Sequence, residues 1–575
     1  MRSLFVYVIF SISLFALPHT INEEIRKSGI AKKDISIYIK EAGRNGKVVA
    51  SLNADKTHVP ASVVKALTTY AAALKLGFDY RWPTKFYTTG TLKNGVLHGD
   101  LLIKGFGDPT LNAKDLEKIV SQIRQEGIRK IRGDIVIDRS YFEVSNKDSS
   151  GFDENIYSAY NAMPDAMMFN ERVVTVCVIP KERKVYKKDA DESYRVVNQL
   201  EHVNKPCKGK YSWPRVKVDK SEVVPKIFLQ GKISKRCGKR NICKVITKPY
   251  KSFYYALKDR LSKEGVSVIG GLRLSKIPLV AKALFTHYSD SLEEIVSETN
   301  KESNNLYARH LLLLLGAKMY GAPATLKKGR AAISNILDTR GALGQGTLKI
   351  DNGSGLSRSS KMNARLLAQM LDHAYDRYGS RWMDTLAIAG VDGTIKRRFR
   401  HTVVKNRAWM KTGTLRRVKN IGGYVKNKAG KYYTVVILIN STKAKYRGAK
   451  LQNEIMKWLV KSKARPTSGA SPKKIVKKKS TSENLFTNLD TRIPSGPGYE
   501  VKDSAIKYYV QVGSFSAMPN KKYLSDIKAL GLQYTVRQGD KYKVLIGGHN
   551  DEQSARRDLA KVRKHINSGA FLVKL

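Results

Sequence analysis

The period of the hydrophobic pattern changes along this chain, and the changes divide it. Apolar and polar positions alternate over residues 35–39 and 48–52 around the polar stretch 41–46, which predicts a strand, a turn and a strand. Residues 66–76 then turn apolar at helical spacing, with Ala66, Leu67, Tyr70, Leu74 and Leu76 forming the stripe of a buried helix entered at Pro60. From about residue 85 short alternating strands prevail, within 95–104 and 133–138, separated by charged helical stretches, and this texture persists to about residue 282. The helical period returns in 292–299, 305–315 and 363–375, followed by strands at 408–415, 422–426 and 432–439 and a last helix at 450–460. These patterns predict one mixed α/β domain built from residues 21–84 and 283–462, interrupted by a strand-rich insertion at 85–282.

Residues 463–503 are punctuated by Pro, Gly and Ser and carry a lysine-rich run at 472–479. Too little apolar surface is present to offset the entropy of ordering, so a flexible basic linker is expected. The tail, residues 504–575, contains two alternating strands ending in glycine, at 508–516 and 542–550, each followed by a helical segment. With strands at 534–537 and 570–574 these complete two β-α-β units, whose natural packing is a ferredoxin-like sandwich.

At the other end, Arg2 precedes an apolar run over 4–17 that is short for a bilayer span and of the right length for the core of a signal peptide, assigned here to residues 1–20. Export is expected, by cleavage after Ala16 or near Thr20, or with the segment kept as an anchor. The chain has 575 residues and a hydrophobic content of 42%, enough for two or three cored domains. Its formal charge of +56 suits an anionic partner. Export argues against nucleic acid and leaves a wall or membrane surface, touched through the linker lysines, or simply solvated lysine.

All four cysteines, Cys177, Cys207, Cys237 and Cys243, fall in one window, which in an exported protein predicts disulfides. Cys237 with Cys243 would close a short loop, leaving Cys177 with Cys207. A zinc site is the rival reading, weakened by the lack of a Cys-x-x-Cys pair.

The chemistry starts at Ser62 and Lys65. Three residues apart at the mouth of a helix, hydroxyl and amine share one face and can share a hydrogen bond. The positive end of the helix favours negative charge at Ser62 and a neutral amine at Lys65, the activation that a serine nucleophile needs. The same spacing recurs at Ser471, Ser504 and Ser525, where the surroundings read as linker or surface, so company decides. Three further segments supply it. Ser303-Asn304-Asn305 precedes a helix, Asp351-Asn-Gly-Ser-Gly-Leu-Ser-Arg358 is a glycine-broken loop, and Lys411-Thr-Gly-Thr414 lies in a strand. Ser303 can relay a proton and Asn305 can hold an amide carbonyl. Lys411 adds positive charge, Thr412 a hydroxyl for a carboxylate, and Gly413 lets a substrate approach the strand backbone.

The trio Ser-x-x-Lys, Ser-x-Asn and Lys-Thr-Gly resembles the penicillin-recognising serine acyltransferases, the β-lactamases and penicillin-binding proteins. Within them the chain looks like the class C low-molecular-mass penicillin-binding proteins, the D-Ala-D-Ala carboxypeptidase/endopeptidase family. Gly105-Phe-Gly-Asp-Pro-Thr-Leu111, Gly133-Asp-Ile-Val-Ile-Asp138, Asn300-Lys-Glu-Ser-Asn-Asn-Leu-Tyr-Ala308, Asn352-Gly-Ser-Gly-Leu-Ser-Arg358, Gly390-Val-Asp-Gly-Thr394 and Trp409-Met-Lys-Thr-Gly-Thr414 carry that likeness. The separation of 241 residues from Ser62 to Ser303 leaves room for the family's large insertion. One departure is Asn304, where the family usually has aspartate.

The resemblance implies a transpeptidase-like α/β sandwich with a strand-rich insertion. It implies attack by Ser62 on D-Ala-D-Ala with Lys65 as base, Ser303 and Lys411 passing a proton, and Asn305 beside them. Thr412, Gly413 and Thr414 would line the substrate carboxylate, helped by Arg358. No metal or organic cofactor is implied, and penicillins would acylate Ser62. The tail resembles a SPOR domain, a module associated with peptidoglycan glycan strands, through Tyr508-Tyr-Val-Gln-Val-Gly-Ser-Phe515. By alternation Val510 and Val512 face the helices and Tyr509 and Gln511 the open sheet face, with Gln511 the expected glycan contact. The tail's thirteen Lys/Arg against five Asp/Glu suit an anionic wall. Leader and tail together imply a periplasmic enzyme acting on peptidoglycan. A β-lactamase, or a wall-binding protein whose acyltransferase domain is silent, are the alternatives.

Overall fold

The computed structural model describes residues 17–143, 147–344, 346–462, 508–515, 519–530, 532, 534–538, 542–549, 552–567 and 570–574. The leader up to residue 16 and the linker at 463–503 lie outside the described residues. Two compact units divide near residue 476.

The first unit is built on a six-stranded antiparallel sheet in the order Val48–Leu52, Ile35–Glu41, Tyr432–Asn440, Val418–Lys426, Ala408–Leu415, Ala387–Ile388. Strands distant in sequence therefore pair directly, Ile37 lying opposite Ile437. Both faces are covered, which is why 432–439 reads as an apolar run interrupted only by Thr434 rather than as an alternation. Along that strand Tyr432, Val436 and Leu438 enter one core, with helices Lys65–Leu76, Leu292–Lys301, Asn305–Tyr320, Leu326–Thr339 and Ala364–Tyr378. Tyr433, Val435, Ile437 and Ile439 enter the other, against His19–Ser28 and Ala449–Lys461. Helix Leu326–Thr339 is absent from the sequence reading: its stripe of Ala332, Ile333, Ile336 and Leu337 is diluted by lysine, arginine and a glycine.

Helix Lys65–Leu76 is the centre of the first core, with every residue from Lys65 to Leu74 buried. Its entry differs from a plain helical start. Residues Ala61–Val64 form a 3₁₀ turn, and Ala61 sits at a φ of 48°. A 3₁₀ turn stacks side chains at i and i+3, so it sets Ser62 over Lys65 more directly than an α-turn does.

The chain leaves through strand Arg81–Thr88 and returns through Lys282–Ser291, and these two pair with each other, Lys85 opposite Thr286. They form one side of a five-stranded sheet with Leu101–Gly105, Ile135–Asp138 and Leu272–Leu274. Smaller sheets occupy the stretch between, with their own core around Val176, Tyr194, Ile227 and Leu229.

The cysteine pairing predicted from spacing is wrong. The disulfide joins Cys207 to Cys237, while Cys177 and Cys243 are free thiols. Strands Arg195–Val203 and Lys226–Ser234 run parallel and end together, Val203 beside Ser234. The segments that follow therefore leave the sheet side by side and bring Cys207 and Cys237 to a Cα separation of 5.1 Å. Cys243 is carried off in strand Arg240–Lys244, opposite Thr175, and Cys177 faces Asn241 on the neighbouring strand. A parallel pairing of distant strands leaves no trace in cysteine spacing. Iodoacetamide on the native protein is expected to label exposed Cys243 rapidly, buried Cys177 only after unfolding, and the other two only after reduction. Peptide mapping checks this; rapid native labelling of Cys207 or Cys237 would refute the pairing.

In the second unit four antiparallel strands lie in the order Tyr534–Gln538, Tyr542–His549, Tyr508–Phe515, Phe571–Lys574, with helices Lys521–Ala529 and Glu552–His565 between. The third strand of the chain sits beside the first, which is the ferredoxin-like order expected. Val510 and Val512 are fully buried with Ile527, Leu559 and Val562, while Tyr509 and Gln511 are half-buried.

Candidate active site

Ser62, Lys65, Ser303, Asn305 and Lys411 come from separate stretches of sequence, and the fold brings them together. Lys65 lies under Ser62, with no exposed surface. Its Nζ lies 2.9 Å from Ser62 Oγ and donates to Asn305 Oδ1 at 2.6 Å and to the Ser354 carbonyl at 2.5 Å. Burial, with the charges of Lys411 and Arg309 nearby, holds this amine well below its ordinary pKa. A neutral amine has two N–H groups and one lone pair. With Asn305 Oδ1 and the Ser354 carbonyl holding the two hydrogens, the lone pair is left for the Ser62 hydroxyl.

The glycine-broken loop is the floor of the site. Asn352 Oδ1 accepts from the Ser354 backbone N–H at 3.1 Å and from its hydroxyl at 2.8 Å, and Asn352 Nδ2 donates to the Leu356 carbonyl at 3.0 Å. Thr68, one turn along helix Lys65–Leu76, donates to the Gly353 carbonyl at 2.8 Å, and Arg330 clamps Asp351 at 2.6 Å. The Ser354 carbonyl is thereby fixed. The sequence marked this loop as a turn, but a backbone oxygen has no side-chain signature, so its role was not legible there.

Ser303 sits at a φ of 63° just ahead of helix Asn305–Tyr320 and accepts from Lys411 Nζ at 2.9 Å. Burial pushes Lys411 down to about 7, with Glu302 the charge that opposes the fall. Strand Ala408–Leu415 presses on the Ser62 turn: a Cβ on Gly413 would lie 2.8 Å from the Pro60 carbonyl and 3.0 Å from the Ser62 nitrogen. Only glycine permits that approach. Thr412 Oγ1 shares a hydrogen bond with Thr394 at 2.8 Å, and Lys419 donates to Thr414 Oγ1 at 3.2 Å. Neither Thr394, at the end of Gly390-Val-Asp-Gly-Thr394, nor Lys419 carries a motif that marks it in the sequence. Arg358 is exposed, and its guanidinium stacks on Phe152, 4.5 Å from the ring centroid. The insertion also reaches the site, where the Tyr160 carbonyl accepts from Asn305 Nδ2 at 3.1 Å.

No group of three or more His, Cys, Asp or Glu side chains arranged to hold a metal occurs among the described residues.

A covered antiparallel sheet with Ser-x-x-Lys, Ser-x-Asn and Lys-Thr-Gly meeting beside one strand places this protein among the penicillin-recognising serine enzymes. The family is narrower: the chain matches the D-Ala-D-Ala carboxypeptidase 3 (S13) family over residues 17–462 and belongs to it, with a SPOR domain over residues 504–574. It is a serine-type D-Ala-D-Ala carboxypeptidase of the penicillin-binding class. Among its relatives, the D-alanyl-D-alanine carboxypeptidase DacB of Haemophilus influenzae is 26% identical over 449 residues, 74% of this chain and 90% of that one. A D-alanyl-D-alanine carboxypeptidase of Actinomadura is 27% identical over 404 residues, 67% of this chain and 74% of the other. The crystal structure of Haemophilus influenzae penicillin binding protein 4 superimposes with a TM-score of 0.66 at 22% identity, covering 77% of this chain and 99% of that one. The same protein has been solved in complex with a β-lactam.

Proposed function

We propose that this protein is a periplasmic serine DD-peptidase that cleaves peptidoglycan stem peptides through an acyl-enzyme on Ser62 and is held to the wall by its SPOR tail. The observation that carries the reading is the position of Lys65 Nζ, 2.9 Å from Ser62 Oγ with its other bonds taken by fixed acceptors. Ser62 Oγ bonds to the carbonyl carbon between two D-alanines and its proton passes to Lys65. The C–N bond then breaks, and Ser303 and Lys411 deliver a proton to the leaving amine. Water hydrolyses the ester in a second step. The backbone N–H groups of Ser62 and Thr414 would stabilise the oxyanion, each worth about 3 kcal/mol. Thr412 and Thr414 would take the terminal carboxylate beside the charge of Lys411. Arg358 would help there, since stacking on Phe152 leaves the in-plane N–H donors of its exposed guanidinium for such a contact.

Residues 21–84 and 283–462 form the catalytic domain in this reading, 85–282 the insertion, 463–503 the linker and 504–575 the wall-binding domain. Leader cleavage is expected after Ala16 or near Thr20; the helix His19–Ser28, with Ile21 and Ile25 buried, supports the earlier position. Tyr509 and Gln511, on the sheet face away from the helices, meet the glycan; sedimentation with glycan strands stripped of peptides checks this, and Gln511→Ala should weaken it.

The decisive experiment is intact mass after incubation with penicillin, followed by peptide mapping and by tracking of the adduct. A lasting adduct on Ser62 with D-alanine release from a pentapeptide supports the reading. Rapid loss of adduct with drug hydrolysis favours a β-lactamase, and no adduct on folded protein favours the silent wall-binding alternative.

The amines also set a pH profile. Lys65 works neutral, and because its pKa is depressed the acid limb of kcat/KM lies below the ordinary lysine range. Lys411 works charged, and at about 7 it loses its proton early, so kcat/KM falls again above neutrality. Glu302 raises Lys411, so Glu302→Gln should move the alkaline limb to lower pH. A limb that stays in place in this variant would contradict the assignment to Lys411.

A further inference from the structure

Asn304 caps helix Asn305–Tyr320, its Oδ1 accepting from the Leu306 and Tyr307 backbone N–H groups at 3.0 and 3.1 Å. The cap orients the whole amide, because the oxygen must face the helix and the NH₂ must point away from it. That NH₂ donates to Glu171 Oε2 at 3.2 Å, and Glu171 Oε1 accepts from the Tyr307 hydroxyl at 2.9 Å. Burial, reinforced by the Glu171 carboxylate, raises the Tyr307 phenol so that it stays a donor. Glu171 thus grips the first turn of the helix at two points, next to Ser303 and Asn305.

Glu171 belongs to the insertion and is itself held in an unusual shape. Asn170, Glu171 and Arg172 have φ values of 47°, 53° and 61°. Such a run persists only where its surroundings over-determine it. Here Asn170 is tied to the Leu111 carbonyl at 2.9 Å and to Asp189 at 3.0 Å, and Arg172 to the Met163 carbonyl at 3.0 Å and to Asp148.

We infer that Glu171 is a positioning residue for the Ser303–Asn305 segment, and that Asn304 and Glu171 form a matched pair through which the insertion sets the active-site geometry. The inference rests on the acyl-enzyme reading above. Aspartate caps a helix as well as asparagine does, and its charge suits the helix N-terminus. In the native pose the substitution Asn304→Asp would, however, turn a carboxylate oxygen toward Glu171 Oε2, where the amide now donates at 3.2 Å. The compensating change is Glu171→Gln. Its new NH₂ can donate to the aspartate while its carbonyl oxygen still accepts from the Tyr307 hydroxyl.

The test is a double-mutant cycle on the full chain: wild type, Asn304→Asp, Glu171→Gln and the double variant, compared by penicillin acylation rate at Ser62 and by thermal midpoint. Rates are taken well below every midpoint, so a merely structural role would not move them. Asn304→Asp is expected to slow acylation at least tenfold, and the double variant to recover to within about threefold of wild type. Asn304→Asp at the wild-type rate, or a double variant no faster than Asn304→Asp, overturns the inference. So does recovery of the midpoint without recovery of the rate. If Asn304→Asp does not fold, the double variant alone decides, by folding and acylating or failing to. A wild type that takes no penicillin refutes the acyl-enzyme reading instead, and the coupling between midpoints then decides the pair by itself.

Discussion

Replacing Lys65 by methionine is expected to slow acylation of Ser62 by penicillin, and release of D-alanine, by at least about 10³-fold while the protein stays folded. Methionine nearly matches the shape of the lysine stem and removes only the amine. The Asn305 Oδ1 and Ser354 carbonyl acceptors lose a partner in this variant, at a cost of about 1–3 kcal/mol for each that stays dry. Against that, burial already disfavours the lysine charge, so removing it relieves a penalty the native chain carries. The two effects oppose each other, and a small shift in thermal midpoint should accompany a large loss of rate. Ser62→Ala should abolish the adduct altogether. Lys65→Met acylating at the wild-type rate would falsify the choice of base and move attention to Lys411, which stands 2.9 Å from Ser303.

The parts of this site that the sequence displays are side chains in short motifs. Ser62 and Lys65 could be read from spacing because three residues at a helix entry determine their proximity. Ser303, Asn305 and Lys411 could be read as chemistry, but only tertiary packing joins them to Ser62: Lys411 arrives through the sheet, where Ala408–Leu415 pairs with Val418–Lys426, and Ser303 and Asn305 arrive through helix Asn305–Tyr320, packed with Lys65–Leu76 in one core. Two kinds of information were hidden. One is backbone donors and acceptors, such as the Ser354 and Tyr160 carbonyls, which any residue supplies. The other is partners fixed by long-range packing, such as Glu171 against Asn304 or Cys207 against Cys237, whose local sequence says nothing about where they end up. The central strands were legible because burial on both faces leaves a nearly continuous apolar run; helix Leu326–Thr339, amphipathic and short of apolar residues, was not.

Gly355→Ala should disable the enzyme through the backbone alone, lowering acylation by about 10²-fold with a loss of stability of about 1–3 kcal/mol. Gly355 has a φ of 77°, and a Cβ there would stand 2.0 Å from the Ala61 carbonyl oxygen and 2.9 Å from the Ser62 nitrogen. The obstacle is backbone, so no rotamer change can clear it. Nor can the facing chain easily give, because Ala61 is already at a φ of 48° and leads straight into the 3₁₀ turn that bears Ser62. The strain must therefore displace the loop, the turn or both, and Ser354, one residue away, carries the carbonyl that orients Lys65. A shift of about 1 Å in that oxygen is enough to spoil the transfer from Ser62. Gly353→Ala is the control. Its φ of 72° imposes a similar backbone penalty, but its Cβ would meet the Ala308 carbonyl at 3.0 Å and Leu312 at 3.1 Å, behind the loop and away from the nucleophile. Gly353→Ala should lose less stability, and the two variants should differ in rate by at least about tenfold, because only Gly355 abuts the turn that carries Ser62. Equal rates, measured as penicillin acylation below both melting midpoints, would show that Gly355 serves the turn of the loop and not the placement of Ser62.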